Sequence, residues 1–284
     1  MRGSILIIIA TLIWGIGAAA QYGGMEHTGP FTFNVARFFV DTLVVLPPAI
    51  YFIRKEGITK STFIAGIVCG TTLAIAINLQ QFGYSLGLPA GRVGFITSLY
   101  VIIVPVISIF ILRKKPGVFV WIGASISLVG LYFLSMAGEM YMGLGDLLIL
   151  ACAFVFAVQI LVVGHFSPRQ NVFALACVQY ITVAILSLIF AFIFETPSMS
   201  DLVDGAPFVL YTGVLSSGVA YLLQMKAQKT TAPTIAAVIF SFEGVVSASA
   251  GWLLLNQFLT PLQILGCVLI FAATIITQFK GETV

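Results

Sequence analysis

Apolar residues run through this chain in long blocks. They follow neither the three-or-four-residue rhythm of a surface helix nor the alternation of a half-buried strand. A helix rises about 1.5 Å per residue, so about 20 mostly apolar residues are needed to cross a hydrocarbon layer about 30 Å thick. Ten blocks reach that length, roughly 3–23, 30–53, 61–84, 92–112, 117–137, 143–164, 171–194, 206–226, 232–255 and 260–280. Breakers and charge clusters separate them, among them His27-Thr28-Gly29-Pro30, Arg54-Lys55-Glu56-Gly57, Leu88-Pro89-Ala90-Gly91, Arg113-Lys114-Lys115-Pro116 and Glu195-Thr196-Pro197. The connections are too short for a second soluble domain. The predicted fold is an all-α membrane protein of ten transmembrane helices. The opening Met1-Arg2-Gly3 and its apolar sequel imitate a signal peptide, but nine more apolar blocks follow, so a first membrane helix is the better reading. Alternating segments of the porin type are missing.

Composition agrees with that picture. Of 284 residues 60% are hydrophobic and 8% charged, against about a quarter charged in soluble domains. A net charge of +3 is too weak to point to nucleic acid. The placement of charge says more. With ten spans, one side of the membrane receives Arg2, Arg54, Lys55, Lys60, Arg113, Lys114, Lys115, Arg169, Lys226, Lys229 and Lys280, eleven of the thirteen Lys and Arg. The other side receives Arg92 and collects Glu26, Glu139, Asp146, Glu195, Asp201 and Asp204. By the positive-inside rule both termini are then cytoplasmic, with the chain in the cell (inner) membrane. Cys69, Cys152, Cys177 and Cys267 all fall inside apolar runs and read as small buried hydrophobes, not as ligands or disulfides.

Sliding the chain against itself by 143 residues brings Gly70 onto Gly213, Leu79 onto Leu222, Gln81 onto Gln224, Ser98 onto Ser241, Leu112 onto Leu255 and Gly123 onto Gly266. The expected organisation is therefore two repeats, residues 1–140 and 141–284. Five helices per repeat is an odd number, so the second copy enters from the opposite side. The halves are then inverted about an axis in the membrane plane, a symmetry that lets one midplane site face either compartment in turn.

These features resemble the drug/metabolite transporter superfamily, in its EamA-type branch. The segments Ser241-Phe242-Glu243, Gly251-Trp252-Leu253-Leu254-Leu255 and Leu259-Thr260-Pro261-Leu262-Gln263-Ile264-Leu265-Gly266 are similar to that family's second-repeat signature, and Ile13-Trp14-Gly15 and Arg37 resemble its first repeat. The resemblance covers the whole chain. Two positions depart from it: Glu243 is followed by Gly244 where the family often has proline, which leaves no proline to kink the ninth helix. Asn256 stands where the family often has an acid. The resemblance implies a secondary transporter that exports small metabolites, amino acids especially, from a cavity lined mainly by helices one, three, four, six, eight and nine. It also implies an Arg at position 37 lying outside that cavity.

Intramembrane charge costs about 2.5–3.5 kcal/mol per residue on insertion scales, so Arg37, Asp41 and Glu243 each need a reason. Arg37 and Asp41 are four apart and share a helix face. They form either a self-contained ion pair, reinforced by Asn34, that fixes packing, or a coupling site in which Arg37 tunes the proton affinity of Asp41. Glu243 has no basic residue three or four positions away, so it either meets a partner from another helix or stays protonated. It is a candidate for substrate binding and proton coupling, with Tyr100 as its repeat counterpart. Neutral polar candidates for the cavity are Asn78, Gln80 and Gln81 on the third helix, Gln159 on the sixth, Gln179 on the seventh and Gln224 on the eighth. Trp14, Tyr22, Tyr100 and Tyr221 add aromatic faces. Pro105, midway down the fourth helix, either kinks it or frees a carbonyl for a ligand. Ser216-Ser217-Gly218 softens the eighth helix.

The sequence carries no Walker loop, no HExxH and no serine nucleophile with a plausible base, so an enzyme is disfavoured and no cofactor or metal is expected. The expected function is alternating-access transport of a small-molecule substrate, an amino acid or related zwitterion, by a monomer or homodimer in the lipid bilayer, with possible proton coupling. Two alternatives remain: transport of organic or quaternary ammonium cations held by cation–π contact, and a structural membrane protein whose polar residues are all paired.

Overall fold

A computed structural model describes residues 2–88, 90–113, 115–135, 143–255 and 259–277 of the chain. The expected repeat boundary at residue 140 lies outside the described residues, as do Glu139, Lys114, Asn256 and Lys280.

The described residues form helices and connections only. In chain order they are α1 (Arg2–Gly24), α2 (Pro30–Glu56), α3 (Lys60–Ser85), α4 (Ala90–Thr97), α5 (Tyr100–Ile107), α6 (Val118–Ser135), α7 (Leu144–Phe166), α8 (Val172–Phe194), α9 (Met199–Asp204), α10 (Ala206–Tyr211), α11 (Ala220–Ala227), α12 (Pro233–Phe240), α13 (Glu243–Leu255) and α14 (Pro261–Ile276). Ser108–Leu112 and Thr212–Val219 are wound as π-helix, and the latter joins α10 to α11 in one segment, Ala206–Ala227. Seven helical segments are long and apolar enough to cross a membrane: Gly3–Gly24, Pro30–Glu56, Lys60–Ser85, Gly91–Phe110, Leu144–Arg169, Val172–Phe194 and Ala206–Ala227. Three shorter apolar helices, Val118–Leu134, Pro233–Ser249 and Pro261–Ile276, fall on the fifth, ninth and tenth expected spans, each of which runs on toward undescribed residues.

Helix ends follow local chemistry. Pro30 begins α2, where a missing N–H costs nothing. The next two N–H groups, of Phe31 and Thr32, both donate to the carboxylate of Glu195 at 2.8 Å. Thr59 caps α3 by accepting from the Thr62 N–H at 3.0 Å, and Asn171 caps α8 by accepting from Phe173 and Ala174. Asp146 holds the start of α7 through the Gly143 N–H at 2.8 Å and is gripped in turn by Arg92, whose Nε and Nη2 donate at 2.6 and 2.9 Å. That contact ties the start of α4 to the start of α7.

The side-chain distribution is inverted relative to a water-soluble protein. Asn34, Asp41, Gln81, Gln179 and Gln228 are fully buried, while Phe110, Phe192 and Phe194 stand exposed on the outside, as lipid solvent requires. The packing plan treats the two halves alike. α3 packs on α7 and α8, and the segment Ala206–Ala227 packs on α1 and α2, the partners that a shift of 143 residues exchanges. α2 packs along α8, and α6 along α14.

Candidate functional site

Two helix breaks frame the centre of the molecule. The fourth span is divided between α4 and α5 at Ser98-Leu99, and the ninth between α12 and α13 at Ser241-Phe242. Each break is a tight turn of i→i−3 bonds. The N–H groups of Leu99, Val101 and Ile102 donate to the carbonyls of Ile96, Ser98 and Leu99, and those of Phe242, Gly244 and Val245 to the carbonyls of Ile239, Ser241 and Phe242. Every donor and acceptor recurs 143 residues on. Tight mid-helix turns of this kind are a common geometry of hinges and of strained helices. The ninth helix thus breaks without a proline at position 244. The fourth breaks well before Pro105, which is buried inside α5 and is not among the chamber-lining residues. Tyr100 and Glu243 each open the helix that follows a break.

Between the breaks lies a chamber lined by residues of α1, α2, α3, α4, α5, α7, α11, α12 and α13 and of the π-helical segment. The space between its atoms is about 480 Å³, of which about 50 Å³ admits the centre of a water-sized sphere. A polar space of that size holds a few waters, so this conformation is a narrow one. The indole of Trp14 stands between the rings of Tyr221 and Phe240, with centroids 5.1 and 5.2 Å away. Its Nε1 donates to the Ser216 carbonyl at 2.7 Å. Gln224 Nε2 donates to Gln159 Oε1 at 3.1 Å, which leaves Gln159 Nε2 and Gln224 Oε1 without partners in the protein. Glu243 is half-buried, and its carboxylate opens on the chamber with neither an ion pair nor a hydrogen bond among the described residues.

Arg37 also lines the chamber, against the expectation that it lies outside. Its Nη1 donates to Gln21 Oε1 at 2.8 Å and its Nε to Ser217 Oγ at 3.1 Å, while its guanidinium carbon sits 5.1 Å from the centre of the Phe38 ring. The third nitrogen, Nη2, has no partner among these contacts. The direct Arg37–Asp41 ion pair suggested by their spacing is not formed. Arg92–Asp146 is the ion pair found among the described residues, and both Asp41 oxygens are buried without a hydrogen bond. The arginine side chain is long enough to reach past Asp41 to acceptors on α1 and on the segment Ala206–Ala227. Asn34 turns elsewhere too: it donates to Asn78 Oδ1 at 2.9 Å.

Of the residues singled out by sequence, Trp14, Tyr100, Gln159, Tyr221, Gln224 and Glu243 converge on the chamber. Asn78 and Gln81 do not line it. Asn78 joins α2, α3 and α8 by accepting from Asn34 and donating to Ser187 Oγ at 3.0 Å. Gln81 donates to the Gln21 carbonyl at 3.1 Å. The third-helix amide that reaches the chamber is Gln80. Gln179 is fully buried with neither end of its amide bonded, and Tyr22 packs on Tyr84 with centroids 6.4 Å apart; both lie off the chamber lining. Sequence reasoning missed Gln21, Thr97, Phe156, Ile160 and Phe240. Spacing was the signal for two of them: Phe156 is three before Gln159 and Gln21 is seven after Trp14, so each shares a helix face with a residue already singled out, whereas Ile160 adjoins Gln159 and Thr97 and Phe240 stand just before the breaks that Tyr100 and Glu243 follow.

An all-helical, multi-pass membrane protein folded around a buried polar chamber is the class that these features define. The EamA-like transporter family matches residues 1–136 and again residues 143–279. An uncharacterized transporter of Archaeoglobus fulgidus is 32% identical over 274 residues, 96% of this chain and 85% of that protein. The uncharacterized transporter YoaV of Bacillus subtilis is 25% identical over 284 residues, 96% of this chain and 95% of its own length. A solved crystal structure 18% identical shares the fold, with a TM-score of 0.78 over 97% of this chain and 96% of the other. The chain belongs to the EamA-like transporter family, and it is a transporter of the drug/metabolite type.

Proposed function

We propose that the chain carries a small zwitterionic metabolite, an amino acid or a close relative, across the cell (inner) membrane by alternating access between two inverted five-helix halves, residues 1–140 and 141–284. One observation carries this reading: Arg37 and Glu243 line the same chamber, with the aromatic trio Trp14, Tyr221 and Phe240 beside them. Arg37 offers Nη2 to a carboxylate, Glu243 accepts an ammonium, and the rings cover an apolar side chain. The spare donor of Gln159 and acceptor of Gln224 add two polar contacts. An organic cation is served by Glu243 and the rings but is repelled by Arg37, which makes it the weaker occupant. The unpartnered amides speak against a solid structural bundle, in which such groups pair between helices. Export, with both termini cytoplasmic, is the direction that the family resemblance implies. Proton coupling through Glu243 fits a carboxyl with no charged partner in a narrow chamber that gains water when it opens. The transporter works as a monomer or homodimer.

The test is a thermal-shift screen of the purified protein against amino acids and quaternary ammonium compounds, followed by counterflow in proteoliposomes. Amino acids are expected to stabilise the protein, and Glu243→Gln to abolish uphill transport driven by a pH gradient. Stabilisation by quaternary ammonium compounds alone would overturn the substrate class, and intact gradient-driven transport in Glu243→Gln would overturn the coupling role.

A further inference from the structure

Arg37 has a partner on its own helix that it does not use. Asp41 follows it by four residues on α2, the spacing at which an Arg and an Asp meet across one helical turn. Asp41 is fully buried, and neither of its carboxylate oxygens has a hydrogen-bond partner. The two residues lie within electrostatic reach of one another. A contact between them would give a buried acceptor the donor that it is costly to go without. The guanidinium nevertheless turns to two other helical segments. Its Nη1 donates to Gln21 Oε1 of α1 at 2.8 Å, and its Nε to Ser217 Oγ of the segment Ala206–Ala227 at 3.1 Å.

The two acceptors hold different sides of the group. Ser217 is fully buried off the chamber lining, so it fixes the Nε side within the bundle. Gln21 lines the chamber together with Arg37, so it fixes the Nη1 end at the chamber wall. A guanidinium has five N–H groups, and these two bonds leave those of Nη2 uncommitted. An arginine so placed presents a charged donor to an anion in the chamber. The same arginine closed on Asp41 would have its charge met inside α2, because Asp41 is off the chamber lining.

We propose that Gln21 is a positioning residue for solute recognition: with Ser217 it holds the Arg37 guanidinium away from Asp41, so that Nη2 stays at the chamber for the carboxylate of the solute. The proposal rests on the zwitterion reading above. Without the Gln21 oxygen, Nη1 loses its acceptor and the guanidinium turns to Asp41, the unpaired acceptor on its own helix. The solute carboxylate then loses its charged donor. Asp41 accepts no hydrogen bond from Gln21, so a change at one can reach the other only through Arg37.

The test isolates recognition of the carboxylate. The probes are the neutral L-amino acids and the carboxamide of each one that binds, titrated into the full-length protein in detergent, with apparent affinity read from the thermal midpoint. The parent is expected to prefer the acid by about tenfold or more, as a charge-assisted bond provides. Gln21→Met keeps the volume and removes the acceptor; it is expected to lose most of that preference while the carboxamide binds no more weakly. Adding Asp41→Leu keeps the branched shape of the carboxyl group and takes away its oxygens; it is expected to restore the preference, because Arg37 then has no internal partner. A merely structural role for Gln21 would weaken both probes alike and would not respond to a change at Asp41. A parent that binds no amino acid, or binds the acid no better than the carboxamide, overturns the zwitterion reading and this proposal with it. A parent that prefers the acid, with that preference kept in Gln21→Met or not regained in Gln21→Met/Asp41→Leu, overturns this proposal alone. Gln21→Leu and Asp41→Asn take the same places in the comparison should either variant not be recovered folded.

Discussion

The third helix and its counterpart in the second half, the segment Ala206–Ala227, begin from related sequence and end as different structures. α3 is regular for 26 residues. Its counterpart is α-helical at both ends and π-helical over the eight residues Thr212–Val219. Both carry a glycine at the same repeat position, and both use it for the same purpose. A Cβ on Gly70 would meet Thr182 and the Gln179 carbonyl of α8, and one on Gly213 would meet Val40 and the Arg37 carbonyl of α2. The difference lies just beyond. Where α3 has Leu73-Ala74-Ile75-Ala76, the counterpart has Ser216-Ser217-Gly218-Val219. Leu73, Ala74 and Ala76 bury apolar surface, which locks the helix in register. The serines and the glycine bury little surface, lower helix propensity and let the backbone turn its carbonyls toward Trp14 and Tyr180. One half supplies a rigid strut and the other a jointed one. In a fold whose halves are otherwise packed alike, the joint is where the two part.

The largest effect expected tests what the two helices share. Gly70→Leu and Gly213→Leu each force a side chain against backbone at a helix crossing, at a cost of about 3 kcal/mol. Both variants are expected to lose most folded protein, read as monodisperse yield and thermal midpoint in detergent. Tolerance of one and not the other would show that the crossings are not equivalent.

A smaller effect tests what divides them. Tyr180→Phe removes the hydroxyl that two carbonyls of the joint accept from, worth about 1–2 kcal/mol where groups stay buried and unpaired. Backbone exchange is expected to rise across 212–219 and to stay low across 69–76, as hydrogen–deuterium exchange can resolve. An equal rise in both stretches would mean that the hydroxyl supports the bundle as a whole and not the joint.

Much of the fold was legible because lipid imposes a coarse rule, long apolar blocks with charges between them, and that rule does not depend on side-chain detail. Trp14, Gln159, Tyr221 and Glu243 were legible on the chamber for a related reason: a polar or amphipathic side chain in mid-span needs an explanation, and a shared interior is the simplest one. The contacts of Arg37 were not legible. Spacing of four residues says that Arg37 and Asp41 share a face, but not that a long side chain will prefer Gln21 and Ser217 on other helices. The helix breaks were not legible either. Proline is visible in sequence, whereas the turns at Ser98-Leu99 and Ser241-Phe242 arise from i→i−3 bonds that no residue type demands. The sequence places Asn78 and Gln81 on the lining because an amide in a membrane helix looks alike whether it faces a solute or a neighbouring helix.

That ambiguity supplies the smallest and most selective test. Gln81 and Gln224 are the same residue at the same repeat position, yet Gln81 donates to the Gln21 backbone while Gln224 lines the chamber beside Gln159. Methionine at either position keeps the volume and removes the amide. For Gln81→Met the loss is one interhelical bond, about 1 kcal/mol of stability, with solute affinity unchanged. For Gln224→Met the loss falls on the solute, where about 1 kcal/mol corresponds to roughly fivefold weaker binding. Thermal midpoints without solute and titrations with a stabilising amino acid separate the two. If Gln81→Met weakens binding as much as Gln224→Met, then Gln81 serves the site as fully as its repeat mate, and the division between an amide that braces helices and one that meets solute is wrong.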